Sequence, residues 1–185
     1  MILVIDNFFD ANSLQLVTNE IKKLQFYSCE NHPCDGYKDV PEYQTKFPGT
    51  RTDIIERANP LLNSFIYNCI KDTGKSFLNH RFTLEQFAHL RTEDDNAADY
   101  IHQDPVDWAY LIYLSDTNLT SGTKMYSAID SKKDNENTFI HFVQNRVVMF
   151  DSSTPHMAWN NHGQNMDNGR LTINGFCKYI YPEEQ

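Results

Sequence analysis

Trp108-Ala109-Tyr110-Leu111-Ile112-Tyr113-Leu114 is an uninterrupted run of aromatic and aliphatic residues. Together with similar runs along the chain it predicts strands at 82–90, 109–114, 124–129, 138–143, 146–150 and 171–179. Such residues favour extended strands, and close spacing without helical patterns between the runs is typical of antiparallel sheets. The sequence therefore predicts a mainly β fold of the α+β class, a jelly roll or sandwich formed by residues 76–185.

The N-terminal residues 1–75 carry a helical periodicity instead. Apolar residues recur at helical spacing over 11–25, after Asp10 as the predicted N-cap. A second helix is predicted to begin after Asn59, with Pro60 in its first position, and to end at Gly74. Because no linker separates these helices from the strands, we expect one domain over 1–185, in which 1–75 form a helical support.

Two N-terminal segments do not fit a helix. Met1 to Ile5 is a short apolar run that favours a strand. Residues 28–53 contain three prolines, two glycines and many polar side chains, and are predicted to form a long loop with one short strand.

The composition excludes several classes of protein. With 40% hydrophobic and 22% charged residues, the chain is too apolar for a disordered protein. A formal net charge of −9 disfavours nucleic acid as a partner, and the apolar runs are far shorter than the ~20 residues that cross a membrane. Asp6 interrupts the first apolar run too early for a secretory signal. We therefore expect a cytoplasmic protein without nucleic-acid or membrane partners.

The four cysteines show no framework spacing and are expected to stay reduced. Cys29, His32 and Cys34 place three soft metal ligands within six residues. A structural zinc site takes four ligands, and no second pair stands nearby in the sequence. The pattern therefore does not favour a zinc site in this segment.

His102-Gln103-Asp104 places an imidazole and a carboxylate two residues apart, next to a strand-like run. Because side chains alternate across a strand, residues two apart project from the same face. His156, in Thr154-Pro155-His156 after the strand at 146–150, is the candidate third ligand. Two histidines and one carboxylate on one side of a metal form the facial triad, which leaves coordination positions open on Fe(II).

Other residues could complete this set of ligands. Asp107 is an alternative to Asp104, although Pro105 interrupts the strand between them. His141, in the middle of the strand at 138–143, is an alternative to His156. A lone strand histidine is more often a structural hydrogen-bonding residue than a metal ligand. The metal prediction therefore depends on the order of all the motifs together.

Arg170-Leu171-Thr172 opens the last strand, fourteen residues beyond His156. Alternation places Arg170 and Thr172 on one face of that strand. A guanidinium fork matches two carboxylate oxygens, and a hydroxyl adds a further hydrogen bond. Outside such a pattern, a strand arginine is usually part of a surface ion pair. After a metal triad, however, the pair predicts a site for a carboxylate ligand.

In these motifs the chain resembles the Fe(II)/2-oxoglutarate-dependent oxygenases, in particular their prolyl-4-hydroxylase-like branch. The resemblance covers roughly residues 82–180 and rests on the order and spacing of four segments: His102-Gln103-Asp104, Tyr113-Leu114, Asn145 to Phe150 with His156, and Arg170-Leu171-Thr172. It implies a double-stranded β-helix with helices packed outside one sheet.

The resemblance also implies a role for each site residue. His102, Asp104 and His156 would bind iron, while Arg170 would pair with the distal carboxylate of 2-oxoglutarate. The side chains that complete that second pocket would be Thr172, Tyr113 and Leu111. Tyr100 departs from the family pattern, since it stands two residues before the first ligand rather than three. Phe47-Pro48-Gly49-Thr50-Arg51 is similar to a Pro-Gly-x-Arg turn of related oxygenases.

The implied cofactors and cosubstrates are Fe(II), 2-oxoglutarate and O2, with ascorbate as an optional reductant. The implied reaction is hydroxylation of a peptidyl, prolyl-like substrate or of a small amino-acid-like molecule, with release of succinate and CO2. Two alternatives remain at this point: a cupin-like module that binds metal and a carboxylate without oxidative turnover, and a metal-free β-sandwich interaction domain.

Overall fold

The computed structural model describes residues 1–33, 47–73, 81–95, 99–132 and 135–180. Two antiparallel sheets form most of this structure. The large sheet has the strand order β1-β8-β5-β10-β4-β3-β2, and the small sheet has the order β7-β6-β9. The strands are β1 Ile2–Ile5, β2 Phe26–Ser28, β3 Thr50–Thr52, β4 Phe82–Arg91, β5 Trp108–Tyr113, β6 Asn118–Met125, β7 Thr138–Phe142, β8 Arg146–Asp151, β9 His156–Trp159 and β10 Arg170–Tyr179.

Three helices accompany the sheets: α1 Ala11–Lys22, the short α2 Ile55–Ala58 and α3 Pro60–Thr73. Both predicted N-caps are confirmed. The carboxylate of Asp10 accepts from the N–H groups of Asn12 and Ser13, and the amide oxygen of Asn59 accepts from the N–H of Leu62 at 3.1 Å. The first helix ends at Lys22 rather than at residue 25. Gly74, the predicted end of the second, lies outside the described residues.

The helices cover one face of the large sheet, and the small sheet covers the other. On the helix side, Val17 and Ile66 pack with Ile112, Leu171 and Ile173 in one buried cluster. On the opposite side, a second cluster joins residues of both sheets, namely Ala109, Tyr113, Val148, Phe150, Met125, Ile140 and Phe142. Burial of these two apolar layers is the main source of stability. The predicted site residues Leu111, Tyr113, Arg170 and Thr172 project from the face of the large sheet that this second layer covers.

Residues from the first 75 positions contribute strands as well as helices to the domain. The predicted apolar run at the N-terminus forms β1, which pairs with β8 at one edge of the large sheet. The short strand expected within 28–53 is β3, which pairs with β4 and β2. Residues 34–46 of that predicted loop lie outside the described part of the chain. The N-terminal part therefore supplies strands at both edges of the large sheet, with β1 at one edge and β3 and β2 at the other.

Most predicted strands match the structure, with one shift and two omissions. The strand expected at 124–129 is β6, which runs from Asn118 to Met125. Its first six residues include one apolar side chain, the exposed Leu119, so they carry no hydrophobic alternation that would indicate a strand. The strands β2 and β9, of three and four residues, are too short to produce a periodic signal. No helix in the described part of the chain has both the length and the apolar character needed to cross a membrane.

Candidate functional site

The register of the large sheet places polar side chains in rows on the face toward the small sheet. Arg51 on β3 lies opposite His89 on β4, which lies opposite Thr172 on β10, which lies opposite Tyr113 on β5. Residues directly opposite one another in a sheet project from the same face. The neighbouring row on one side pairs Arg91 with Arg170, and the row on the other side consists of Phe87, Asn174 and Leu111.

The three predicted metal ligands converge at one point between the sheets. His102 and His156 form an isolated antiparallel bridge, with reciprocal N–O distances of 3.0 and 2.9 Å. Asp104 places its carboxylate oxygens 4.0 Å from Nε2 of His102 and 3.5 Å from Nε2 of His156. All three ligand atoms lie within 4.8 Å of one another. His156 is the first residue of β9, so the small sheet supplies one ligand to a cluster otherwise formed by the segment before β5.

Backbone contacts orient both imidazoles. Nδ1 of His102 lies 3.1 Å from the carbonyl oxygen of Tyr100, and Nδ1 of His156 lies 3.0 Å from the carbonyl oxygen of Thr154. A carbonyl can only accept, so each Nδ1 carries the proton and each Nε2 keeps its lone pair toward the cluster. Burial, followed by the charge of His102, lowers the pKa of His156 to about 4. The carbonyl contacts set the tautomer of both histidines, and the lowered pKa favours the neutral, metal-binding form of His156.

The donor set fits a divalent transition metal. Two imidazole nitrogens and one carboxylate oxygen on one side match the facial arrangement that non-haem Fe(II) sites use. The ring of Phe150 packs against the imidazole of His156, with ring centroids 4.6 Å apart. These three side chains could hold Fe(II) at the edge of the cavities that both histidines line.

The two alternative ligands lie elsewhere. Oδ2 of Asp107 accepts a hydrogen bond from the N–H of Tyr179 at 2.7 Å, so this carboxylate caps the end of β10. Nδ1 of His141 lies 2.8 Å from the carbonyl oxygen of Leu119, on an exposed part of β7. Neither residue belongs to the cluster of potential ligands that the described residues form.

The segment with Cys29, His32 and Cys34, in which the sequence does not favour a zinc site, is only partly described, since Cys34 lies outside the described residues. Nε2 of the buried His32 lies 2.8 Å from the carbonyl oxygen of Thr52, which gives this imidazole a structural partner on β3. Burial lowers the pKa of His32. The geometry of His32 therefore agrees with a structural role.

Arg170 lies in a small cavity of about 90 Å³ that the metal-ligand histidines also line; we call it the smaller cavity. Its side chain is only 3% exposed, and its one hydrogen bond runs from Nη2 to the carbonyl oxygen of Gly122 at 3.3 Å. Nε of Arg170 has no hydrogen-bond partner within the described chain, and no carboxylate there forms an ion pair with it. Burial lowers the pKa of Arg170. A buried guanidinium without an anionic partner is costly, and an anionic ligand would offset that cost.

The other residues predicted for the 2-oxoglutarate site differ in their distance from this cavity. Leu111 lines the cavity directly. Tyr113 and Thr172 do not line the cavity but hydrogen-bond to residues that do. The Tyr113 hydroxyl lies 2.7 Å from Oγ1 of Thr123, and the Thr172 hydroxyl donates to Oδ1 of Asn174 at 2.7 Å. Thr123 and Asn174 are themselves lining residues. Of the four residues predicted for this site, Arg170 and Leu111 line the cavity, and Thr123 and Asn174 are polar lining residues that the sequence does not indicate.

Further lining residues of the smaller cavity are absent from the sequence prediction. Arg91 is buried and pairs with Asp99 at 2.7 Å and with Asp95 at 3.6 Å. His89 donates from Nε2 to the carbonyl oxygen of Pro48 at 2.6 Å. Alternation along β4 would have placed His89 and Arg91 on one face, but nothing local in the sequence indicates which face meets the metal ligands.

A second cavity, of about 510 Å³, also borders the metal-ligand cluster, and we call it the larger cavity. Tyr100 borders both cavities, and its ring lies 5.1 Å from that of His102. Burial raises the pKa of Tyr100. Aromatic side chains form a large part of the wall, namely Phe47, Phe87, Tyr100, Phe150 and Phe176. Such a wall suits a ligand with an apolar body.

Solved structures with a similar fold match nearly the whole chain. EvdO2 from Micromonospora carbonacea var. aurantiaca, complexed with 2-oxoglutarate, aligns with a TM-score of 0.68 at 12% identity, over 99% of this chain and 89% of its own. HygX from Streptomyces hygroscopicus, with nickel, 2-oxoglutarate and hygromycin B bound, aligns with a TM-score of 0.67 at 14% identity, over 100% and 85%. A Pseudomonas putida prolyl-4-hydroxylase aligns with a TM-score of 0.59 at 15% identity, over 97% and 93%.

No family model matches the chain, and no curated protein matches it in sequence. At these identities the likeness to solved structures concerns the fold. It confirms the predicted fold class: the protein has the jelly-roll, double-stranded β-helix architecture that these 2-oxoglutarate-bound and prolyl-hydroxylase structures share.

Proposed function

We propose that the protein is an Fe(II)- and 2-oxoglutarate-dependent dioxygenase. One observation carries this proposal: a cluster of two imidazoles and one carboxylate shares a cavity with the buried guanidinium of Arg170, which has no carboxylate partner among the described residues. A site that binds only a metal has no use for a buried cation beside it. A ligand that chelates the metal at one end and carries a carboxylate at the other needs the metal site and the cation together.

Each residue has a defined task in this proposal. His102, Asp104 and His156 hold the metal, and the carbonyl-bonded Nδ1 atoms keep both imidazoles in the required tautomer. Arg170 binds the distal carboxylate of 2-oxoglutarate, near the hydroxyls of Thr123 and Tyr113. When bound, Fe(II), 2-oxoglutarate and O2 supply the oxidising power, with release of succinate and CO2.

The larger cavity is the proposed substrate site, because it borders the same metal ligands and is several times larger. We propose a peptidyl, prolyl-like substrate or a small amino-acid-like molecule. A prolyl-4-hydroxylase among the similar folds supports the peptidyl kind, and the structure with hygromycin B bound supports a small molecule in general. The net charge of −9 supports the absence of a nucleic-acid partner. Four cysteines without framework spacing support a reducing, cytoplasmic location.

Anaerobic titration tests the proposal directly. Protein loaded with Fe(II) is titrated with 2-oxoglutarate, and the visible charge-transfer band of the chelate is recorded. After admission of O2 with ascorbate, succinate is measured. We expect a saturable band and slow succinate release without added substrate. Loss of the band would overturn the proposal, whereas a band without succinate, in the presence of candidate peptides and amino acids, would favour the cupin-like binding module.

A further inference from the structure

Two segments outside the strands of the large sheet carry the potential metal ligands, and we call them the ligand segments. Residues 102–107 precede β5 and contain His102 and Asp104, and residues 152–156 follow β8 and end at His156. The two segments run antiparallel beside each other, since His102 and His156 form an antiparallel bridge. The spacing of the three ligands therefore depends on what holds these two segments together.

Backbone hydrogen bonds join the ligand segments at a few points. Beyond the paired ends of β5 and β8, the N–H of Ser152 donates to the Asp107 carbonyl at 3.3 Å. The N–H of Asp104 donates to the Ser152 carbonyl at 3.2 Å, and the bridge between His102 and His156 follows. The two bonds of Ser152 are longer than the usual ~2.9–3.0 Å, so the backbone holds the Asp104 end of the site only weakly.

Gln103 adds a side-chain link between the ligand segments. It stands between the ligands His102 and Asp104, and its Nε2 donates to the carbonyl oxygen of Ser153. Ser153 lies three residues before the third ligand, His156, in the turn that leads to it. One carboxamide therefore fastens the segment with two ligands to the segment with the third.

The Ser153 end of this link is itself fixed. Oδ1 of Asp151 accepts from the N–H of Ser153 at 2.9 Å and from its hydroxyl at 2.5 Å. The N–H of Thr154 donates to the Asp151 carbonyl at 2.8 Å and closes the turn. Asp151 is the last residue of β8, so Gln103 is tied to a turn that continues directly from the large sheet.

A second side-chain link between the ligand segments lies deeper. Ser152 is 3% exposed, and its hydroxyl donates to the carbonyl oxygen of Val106. Gln103, in contrast, is an exposed residue that lines the larger cavity. Replacement of Gln103 therefore removes one link without opening a void in the core, whereas replacement of Ser152 would disturb buried packing.

We propose that Gln103 is a positioning residue of the metal site: its bond to the Ser153 carbonyl holds the two ligand segments together before the metal binds. The nature of the metal rests on the oxygenase proposed above, but the link does not. Hydrogen-bonding partners behind metal ligands typically change metal affinity 10- to 100-fold. A ligand set that spends less time in its binding arrangement binds the metal more weakly in the same proportion.

Titration with Co(II) tests the proposal, since Co(II) takes nitrogen and oxygen ligands and absorbs visible light. Gln103→Met keeps the length of the side chain and removes its donor. We expect the dissociation constant of Co(II) to rise roughly 10-fold or more. The visible spectrum at saturation should match that of the wild type, because the ligands themselves are unchanged. A wild-type affinity would overturn the proposal, and a changed spectrum would do so by making Gln103 a ligand.

Gln144→Met is the matched control. Nε2 of Gln144 also donates to a backbone carbonyl, that of Leu114 at 3.1 Å, but at the opposite ends of β5 and β8. This variant should keep the wild-type affinity for Co(II). The urea midpoint of metal-free Gln103→Met should fall no further than that of Gln144→Met. A midpoint far below the control, or an equal loss of Co(II) affinity in both variants, would make the effect general destabilisation and overturn the positioning role.

A second arm separates this proposal from the oxygenase assignment. Each protein is saturated with Co(II) and titrated with 2-oxoglutarate, and the affinity of Gln103→Met should stay within about 3-fold of wild type. A loss as steep as in Arg170→Gln would assign Gln103 to the cosubstrate and overturn the proposal. If wild-type protein binds Co(II) but no 2-oxoglutarate, the oxygenase assignment fails, while the Co(II) titrations still decide the role of Gln103. If wild-type protein binds no Co(II), the positioning role is overturned.

Discussion

Asp104 carries the only negative charge among the three potential metal ligands. Burial lowers the pKa of His156 to about 4, which favours its neutral form, so the carboxylate supplies the charge that attracts a divalent cation. We predict that Asp104→Ala lowers Fe(II) affinity at least about 100-fold, measured by anaerobic titration and by metal content after dialysis. Asp107→Asn is the matched control, because Asp107 bonds to the backbone of Tyr179 instead. Equal metal retention in Asp104→Ala and wild type would contradict the assignment.

Arg170 should act on the cosubstrate and not on the metal. Its guanidinium lines the smaller cavity but is not a ligand. Loss of a charge-assisted, bidentate contact costs about 2–3 kcal/mol. We therefore predict that Arg170→Gln raises the dissociation constant of 2-oxoglutarate roughly 30- to 100-fold and leaves Fe(II) content unchanged. Arg81→Gln serves as the charge control. An unaltered 2-oxoglutarate affinity in Arg170→Gln would remove the carboxylate-binding role.

The site residues differ in how far the sequence predicts them. Local alternation places His102 with Asp104 and Arg170 with Thr172 on shared faces, and the order of the motifs along the chain makes them candidate site residues. Arg51, His89 and Asn174 become neighbours only through the pairing of β3, β4, β10 and β5. Their positions depend on strand register, which no short stretch of sequence specifies.

At the scale of elements, the small sheet is the part that sequence patterns describe least well. The strand β6 begins with polar residues, and β9 has four residues, yet both border the site. The carbonyl oxygen of Gly122 on β6 accepts the hydrogen bond of Arg170, and β9 begins with His156. These strands are defined by pairing with one another and by packing on the large sheet, so tertiary contacts override weak local preferences.

Asn145 connects the turn before β8 to the segment between β1 and α1. Its backbone has a φ of 61°, and its buried side chain accepts from the N–H of Phe9 at 2.9 Å and donates to the Phe9 carbonyl at 2.7 Å. We predict that Asn145→Ala lowers the free energy of unfolding by about 3 kcal/mol, since both backbone groups of Phe9 lose their partners. The measurement is urea denaturation followed by circular dichroism.

Asn160→Ala is the matched control for this prediction. Asn160 also has a positive φ, of 59°, but it is exposed and makes one side-chain hydrogen bond, to the Thr120 carbonyl at 3.1 Å. Its replacement should cost roughly 1 kcal/mol or less. Equal losses for the two variants would mean that the strain of the left-handed backbone, and not the link to Phe9, dominates at Asn145.

The net negative charge of the chain is not distributed evenly, since the buried Arg170 lies in a cavity that the metal-ligand histidines also line. The chain has a net charge of −9, yet Arg51, Arg91 and Arg170 project from one face of the large sheet beside the metal ligands. Composition indicates the overall charge but not its distribution, which follows from the packing of two sheets. A local positive potential inside a low-dielectric cavity can attract small dianions even when the protein as a whole repels them.

His89 links this region to the stability of the whole domain. Burial, followed by the positive charges of Arg51 and Arg91, holds the pKa of His89 well below its usual 6.5. Below about pH 6.5 the His89 imidazole is protonated in the unfolded chain but stays neutral in the folded protein. The contribution of His89 to folding stability is therefore fully present above that pH and is lost as the pH decreases. The contribution of His89 to this loss is about 1.4 kcal/mol for each pH unit below 6.5.

We predict that His89→Gln makes stability less sensitive to acid. Metal-free protein in EDTA is unfolded with urea at pH 7.5 and at pH 5. The wild type should lose roughly 2 kcal/mol more between these two pH values than His89→Gln does, because glutamine can donate to the Pro48 carbonyl but cannot bind the proton. His141→Gln, which replaces an exposed imidazole on β7, should keep the wild-type loss. An equal loss of unfolding free energy in all three proteins would contradict the prediction. It would show that His89 can be protonated in the folded protein despite its burial and the nearby arginines.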